Sequence, residues 1–97
     1  MNKYEAMFIL KPDLTEEDRK ALFNQINEAV SKNQGNVTAA SVWAEKRKLT
    51  FPIRKYQEGL YYLMNFSIAS QAVKEVNQAY KLNENILRVL ITRVENK

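Results

Sequence analysis

Gly59-Leu60-Tyr61-Tyr62-Leu63-Met64-Asn65-Phe66-Ser67-Ile68 decides the architecture. Its aromatic and branched residues favour an extended strand over Leu60 to Ile68, opened by Gly59. Side chains alternate along a strand, so Tyr62, Met64 and Phe66 share one face and Tyr61, Leu63 and Asn65 the other. Upstream, Pro52 cannot continue a hydrogen-bonded ladder, which sets a turn or sheet edge near residues 52 to 58. Before it, Asn36 to Ala44, with Val37, Val42 and Trp43, forms another extended segment that runs on into Lys46-Arg47-Lys48. These two strands pair as a hairpin.

Working outward, Tyr4 to Leu10 is a strand stopped by Lys11-Pro12-Asp13. Thr15 then caps a helix whose first turn carries Glu16, Glu17 and Asp18, acids that complement the helix dipole. Leu22, Ile26, Ala29 and Val30 recur at helical spacing, which carries this helix to about Asn33; Gly35 supplies the left-handed residue that ends it. After the hairpin, Ser70 is the expected N-cap of a second helix bearing Val73, Val76, Ala79, Tyr80 and Leu82. Asn83-Glu84-Asn85 is turn chemistry, and Ile86 to Val94 is the last strand.

The order β-α-β-β-α-β predicts an α+β, ferredoxin-like fold: a four-stranded antiparallel sheet with two helices on one face. Alternation assigns Ala6, Phe8, Leu10, Tyr62, Met64, Phe66, Leu87, Val89 and Ile91 to the covered side. Glu5, Met7, Ile9, Tyr61, Leu63, Asn65, Arg88, Leu90 and Thr92 fall on the open side. Met7, Ile9, Tyr61, Leu63 and Leu90 would make a contiguous apolar patch there, suited to a protein partner unless loops or a terminus cover it.

Ninety-seven residues bury one core, so residues 1–97 are expected to form a single domain. With 45% hydrophobic and 27% charged residues, and only two Gly and two Pro, the chain has the composition of an ordered globular protein. Without His or Cys it lacks the commonest general base, metal ligand and thiolate nucleophile. Glu16, Glu17 and Asp18 read as surface acids of a helix start, not as metal ligands. Gly35 and Gly59 are the only glycines, so no phosphate-cradling loop of the nucleotide-binding kinds can be written. The expectation is a protein that is not an enzyme and holds no metal, cofactor or small-molecule substrate. The apolar stretch Ala6 to Leu10 is far too short for a membrane span or a secretion signal, which points to the cytoplasm.

Fifteen Lys and Arg against eleven Asp and Glu give a net charge of +4, which favours an anionic partner. Lys46, Arg47, Lys48, Arg54 and Lys55 lie close together around Leu49-Thr50-Phe51-Pro52-Ile53. On an extended strand Lys46 and Lys48 point opposite to Arg47, so the run is not one stripe. It fits phosphate contact first, with protection of a sheet edge against unwanted strand pairing as the rival reading, and the same residues can serve both. Lys3, Arg88 and Arg93, on neighbouring strands, would extend a basic footprint. The aromatic residues Tyr4, Phe8, Phe51, Tyr56, Tyr61, Tyr62 and Phe66 suggest base stacking, but strand three lacks the aromatic pattern of the RNA-recognition module, which leaves most of them for the core. The same fold also serves amino-acid-binding regulatory dimers and a small phosphatase, the latter needing a phosphate loop that this chain lacks.

Tyr4-Glu5, Leu10-Lys11-Pro12, Arg47-Lys48-Leu49-Thr50-Phe51-Pro52-Ile53, Gly59 with Tyr61-Tyr62, and Leu82-Asn83-Glu84-Asn85-Ile86-Leu87-Arg88 follow one another in order over nearly the whole chain. In this the sequence resembles the family of the sixth protein of the bacterial small ribosomal subunit. The resemblance implies the ferredoxin-like fold and a structural role on the ribosome, bacterial or organellar. It further implies binding of 16S ribosomal RNA as a heterodimer with the eighteenth small-subunit protein. Carried over by position, Lys3, Arg47, Lys48, Arg54, Arg88 and Arg93 are the implied RNA-binding residues, and Met7, Ile9, Tyr61, Leu63 and Leu90, or an adjoining edge, the implied partner surface. Glu45 stands where the family often has Gly, and Thr50-Phe51 replaces a common Ala-Tyr. Glu45 is expected to weaken phosphate attraction beside the basic run, and Phe51 keeps a ring without its hydroxyl. With Lys97 just past the last strand, no role of a long family tail is expected here.

Overall fold

The computed structural model describes residues 1–94. Four strands, β1 (Asn2–Leu10), β2 (Asn36–Ile53), β3 (Tyr56–Ile68) and β4 (Ile86–Arg93), form one sheet in the order β2-β3-β1-β4. All three pairings are antiparallel. Helices α1 (Glu16–Lys32) and α2 (Val73–Lys81) pack on one face, which is the fold that the order of elements predicted.

The helix-covered side is built as alternation requires. Ala6, Phe8 and Leu10 of β1 and Tyr62, Met64 and Phe66 of β3 are buried, together with Leu22, Ile26 and Val30 of α1 and Val76 and Tyr80 of α2. The aromatic rings interlock, with Phe8 edge-on to Tyr80 at 4.9 Å and Phe23 stacked on Tyr62 at 4.3 Å. Of the other aromatics, Tyr4 is buried, whereas Phe51 is exposed on β2.

Five local expectations are corrected. Thr15 caps α1 as expected, accepting from the Asp18 amide at 3.1 Å, but the left-handed residue after it is Gln34, with φ 60°, and not Gly35. Gly35 is there for space, because a Cβ would come within 2.6 Å of Val30 Cγ1. The hairpin is tighter than predicted: strand structure runs to Ile53 and resumes at Tyr56, since Arg54 and Lys55 both take positive φ in the two-residue turn. Ser70 does not cap α2; Ser70–Ala72 form a 3-10 turn, and α2 begins at Val73 with no side-chain cap. Leu82 lies beyond α2 and is exposed, and Ala79 faces outward. Finally, a register shift between Ile9 and Leu10 sets Ile86 opposite Leu10, so Ile86 joins the main core while Leu87 is buried outside it.

Candidate nucleic-acid and partner interface

The open face is assembled in rows across the sheet. Pairing sets Met7 opposite Leu63 on one side and Leu90 on the other, and Ile9 opposite Tyr61 and Arg88. Met7, Ile9, Tyr61 and Leu63 are half-buried and Leu90 is 61% exposed, so the five predicted patch residues form one contiguous surface. Its far end is polar, where Glu5 lies between Asn65 and Thr92.

Next to this patch stands a residue the sequence reading used only as a strand former. Trp43 is 59% exposed, its ring 6.4 Å from that of Tyr61. The Arg47 guanidinium carbon lies 5.4 Å from both ring centroids, a cation–π contact to each. Alternation sets Trp43 and Arg47 on one face. Register shifts between Val42 and Ala44 and between Ala44 and Arg47 bring Arg47 opposite Gly59, two residues from Tyr61, where an unbroken register would set it opposite Gln57. Leu49 was likewise unassigned; it is buried near Gly59, within 3.6 Å of where a Cβ there would stand. Ile9 Cγ2 lies 2.5 Å from that same point, which is why residue 59 is a glycine.

The six cations singled out as RNA contacts do not form one patch. Arg47 lies against the open-face rings, whereas Lys48 is opposite Glu58. Lys3 and Arg93 lie at one end of the sheet, opposite Ser67 and Tyr4 respectively, and Arg93 donates to Asn2 Oδ1 at 3.1 Å. Arg88 is five residues earlier on β4, about 16 Å away at strand rise. Arg54 reaches from the hairpin turn to Glu84, donating to its carbonyl oxygen at 3.1 Å, and lines a groove with Arg88. Lys81, at the end of α2, lines the same groove. Glu45 does not sit free beside the basic run: Arg19 of α1 holds its carboxylate at 2.8 Å.

Among the described residues no group of His, Cys, Asp and Glu is arranged to hold a metal ion, and no helix is long and apolar enough to cross a membrane. The geometry among the described residues is that of a small basic ferredoxin-like domain with an apolar sheet face that neither helix covers. The sequence model of the family described as Ribosomal protein S6 matches residues 3–93. The small ribosomal subunit protein bS6 of Thermoanaerobacter pseudethanolicus is 42% identical over 95 residues, 98% of this chain and 99% of that one. The bS6 protein of Caldanaerobacter subterraneus subsp. tengcongensis is 38% identical over 96 residues, 99% of this chain and all of that one. The crystal structure of 30S ribosomal protein S6 from Thermotoga maritima superposes with a TM-score of 0.87 at 26% identity, covering 96% of this chain and 87% of that one. This chain belongs to the ribosomal protein S6 family. It is a structural component of the small ribosomal subunit and not an enzyme.

Proposed function

We propose that this protein binds 16S ribosomal RNA jointly with the eighteenth small-subunit ribosomal protein and thereby supports assembly of the subunit in the bacterial cytoplasm. The observation that carries this reading is the row Leu63–Met7–Leu90, an apolar strip on a sheet face that neither helix covers. Met7, Ile9, Tyr61, Leu63 and Leu90 would pack against the partner protein. Lys3, Arg47, Lys48, Arg54, Arg88 and Arg93 surround that contact and supply charge toward RNA phosphates. Burying the strip would join two basic surfaces and raise the effective concentration of the second contact. Contacts of this kind position the protein by RNA shape and backbone rather than by base sequence. No metal, cofactor or small-molecule substrate enters the role.

The direct test is RNA binding by the purified protein, alone and with the partner, together with co-sedimentation on small subunits washed at rising salt. Tighter binding by the pair and retention on the small subunit are expected. Equal affinity with and without the partner would sink the cooperative account. A second role for part of the basic run follows from topology: β2 is an outer strand, so Lys46 and Lys48 also discourage pairing with another chain's edge.

A further inference from the structure

The two-residue turn between β2 and β3 is occupied by two cations. Arg54 and Lys55 hold φ of 48° and 72° at the centre of the β2–β3 hairpin, positions that favour Asn-Gly because side chains fit the left-handed region poorly. Strain of this sort persists where something nearby holds it. Here the Arg54 guanidinium donates through Nη1 to the Glu84 carbonyl oxygen at 3.1 Å, which ties the hairpin turn to the loop between α2 and β4. The tie delivers Arg54 to a groove it shares with Lys81 from the last turn of α2 and Arg88 of β4, walled by Leu87 and Val89. Among the described residues no carboxylate lines the groove, and neither ion pair, Arg19–Glu45 or Lys32–Glu28, involves these three cations. Lys81 also complements the carboxyl end of the α2 dipole, but that role does not require the two arginines beside it.

We propose that the groove bounded by Arg54, Lys81 and Arg88 is a binding site for a single phosphate group, one supplied by the RNA backbone. The proposal rests on the RNA reading above and specifies it. Two guanidinium forks, one of them already held by the Glu84 carbonyl, and one ammonium come to this groove from three elements, a donor set that suits a tetrahedral anion with several acceptor oxygens. Three cations on one phosphate make a single contact, so their effects on binding overlap instead of adding.

The experiment compares Arg54→Gln, Lys81→Gln, Arg88→Gln and the triple variant, with Lys74→Gln, exposed on α2 and outside the groove, as the control for loss of one positive charge. Affinity for 16S ribosomal RNA is measured over a salt series. Each phosphate contact contributes a log-log slope of roughly 0.7–0.9. The triple variant is expected to lose about one such contact, with each single change already causing most of the loss. A fall of three contacts, or none, overturns the single-phosphate site. Should Arg54→Gln fail to fold, Lys81→Gln and Arg88→Gln carry the comparison. In parallel, inorganic phosphate is titrated into the wild-type protein and followed by amide resonances. Shifts centred on residues 54, 81 and 88 are expected, and their absence overturns the site. If the wild-type protein and its partner bind no RNA, the RNA reading fails, and the phosphate titration alone then decides whether the groove takes free phosphate.

Discussion

Arg19 of α1 and Glu45 of β2 are joined at 2.8 Å, with two further guanidinium contacts at 3.4 Å. The pair ties the helix layer to the outer strand and turns the carboxylate toward α1. Both side chains keep contact with water, and pairs of this kind contribute about 0.2–1 kcal/mol. Glu45→Gln is therefore expected to lower stability by less than about 1 kcal/mol in dilute buffer. The difference should fade near 1 M salt, where the Debye length is about 3 Å. Urea midpoints of both proteins at low and high salt provide the measurement; a loss unaffected by salt would contradict an electrostatic role.

Tyr80 is buried and donates its hydroxyl to the Ile26 carbonyl oxygen at 2.7 Å, joining α2 to α1. Tyr80→Phe removes this bond but leaves the Ile26 carbonyl its helical bond from the Val30 amide, at a cost of about 0.5–1.5 kcal/mol. Burial, with a lesser contribution from Tyr62, holds the Tyr80 phenol well above its ordinary pKa of 10.0. Burial also raises that of Tyr62. A pKa raised on folding means that the folded chain keeps a proton the unfolded chain gives up. The stability it contributes is complete below pH 10 and declines above it, by up to about 1.4 kcal/mol per pH unit for each group. Urea unfolding between pH 9 and 11.5 should show this decline in the wild-type protein and a shallower one in Tyr80→Phe.

Gln34 and Gly35 divide between them what the sequence suggested one glycine would do. Gln34 takes the left-handed conformation at φ 60°, so Gln34→Gly should stabilise the protein by up to about 1 kcal/mol. A Cβ at Gly35 would meet Val30 Cγ1 at 2.6 Å, and Ile68 Cγ1 and the Ser67 carbonyl oxygen at 3.0 Å. Gly35→Ala should therefore cost about 1–3 kcal/mol through overpacking. Thermal melts of the two variants should move in opposite directions; equal shifts would show that conformation and space had been assigned to the wrong residues.

That exchange illustrates what the sequence exposes. In β1 and β3 the facing of the side chains was legible, because their regular pairing lets alternation place Ala6, Phe8, Tyr62 and Met64 on the covered side. Both strands nevertheless begin earlier than their apolar residues show. β2 was not, because its register with β3 shifts in four places and each shift resets which way the next side chain points. A period of two places Trp43 and Arg47 on one face, but only those shifts bring Arg47 level with Gly59 and so within reach of the Tyr61 ring. The Leu87 placement failed for the same reason, at the irregularity between Ile9 and Leu10. Lys81 escaped notice because its groove joins a hairpin turn, a helix end and a strand that are far apart in sequence.

Arg47 and Lys48 are adjacent in sequence but lie in different surroundings, one against the Trp43 and Tyr61 rings and the other opposite Glu58. Their contributions to RNA affinity should accordingly add, with each substitution to Ala making the salt slope shallower by its own phosphate contact. Trp43 is the only tryptophan, so its emission reports the stack directly. Arg47→Ala is expected to shift Trp43 fluorescence and Lys48→Ala to leave it unchanged. Unaltered RNA binding in the double variant, together with increased self-association, would reassign the pair to guarding the β2 edge.

Leu90 separates partner docking from folding more cleanly than any other residue of the open face. It lies opposite Met7 yet remains 61% exposed, outside the core on the helix side. Leu90→Asp should change stability by no more than about 0.5 kcal/mol, as exposed positions generally do. Against a partner surface the same change buries a carboxylate in an apolar contact, which is costly even with Arg88 two residues away on the same face. Heterodimer formation should therefore weaken strongly, and the pair's RNA affinity should fall toward that of the single protein. The single protein's own RNA binding should fall only slightly, from the loss of one unit of net charge. Calorimetric titration with the eighteenth small-subunit protein measures the first effect directly. Undiminished heterodimer affinity in Leu90→Asp would move the docking surface away from the strip and toward a sheet edge.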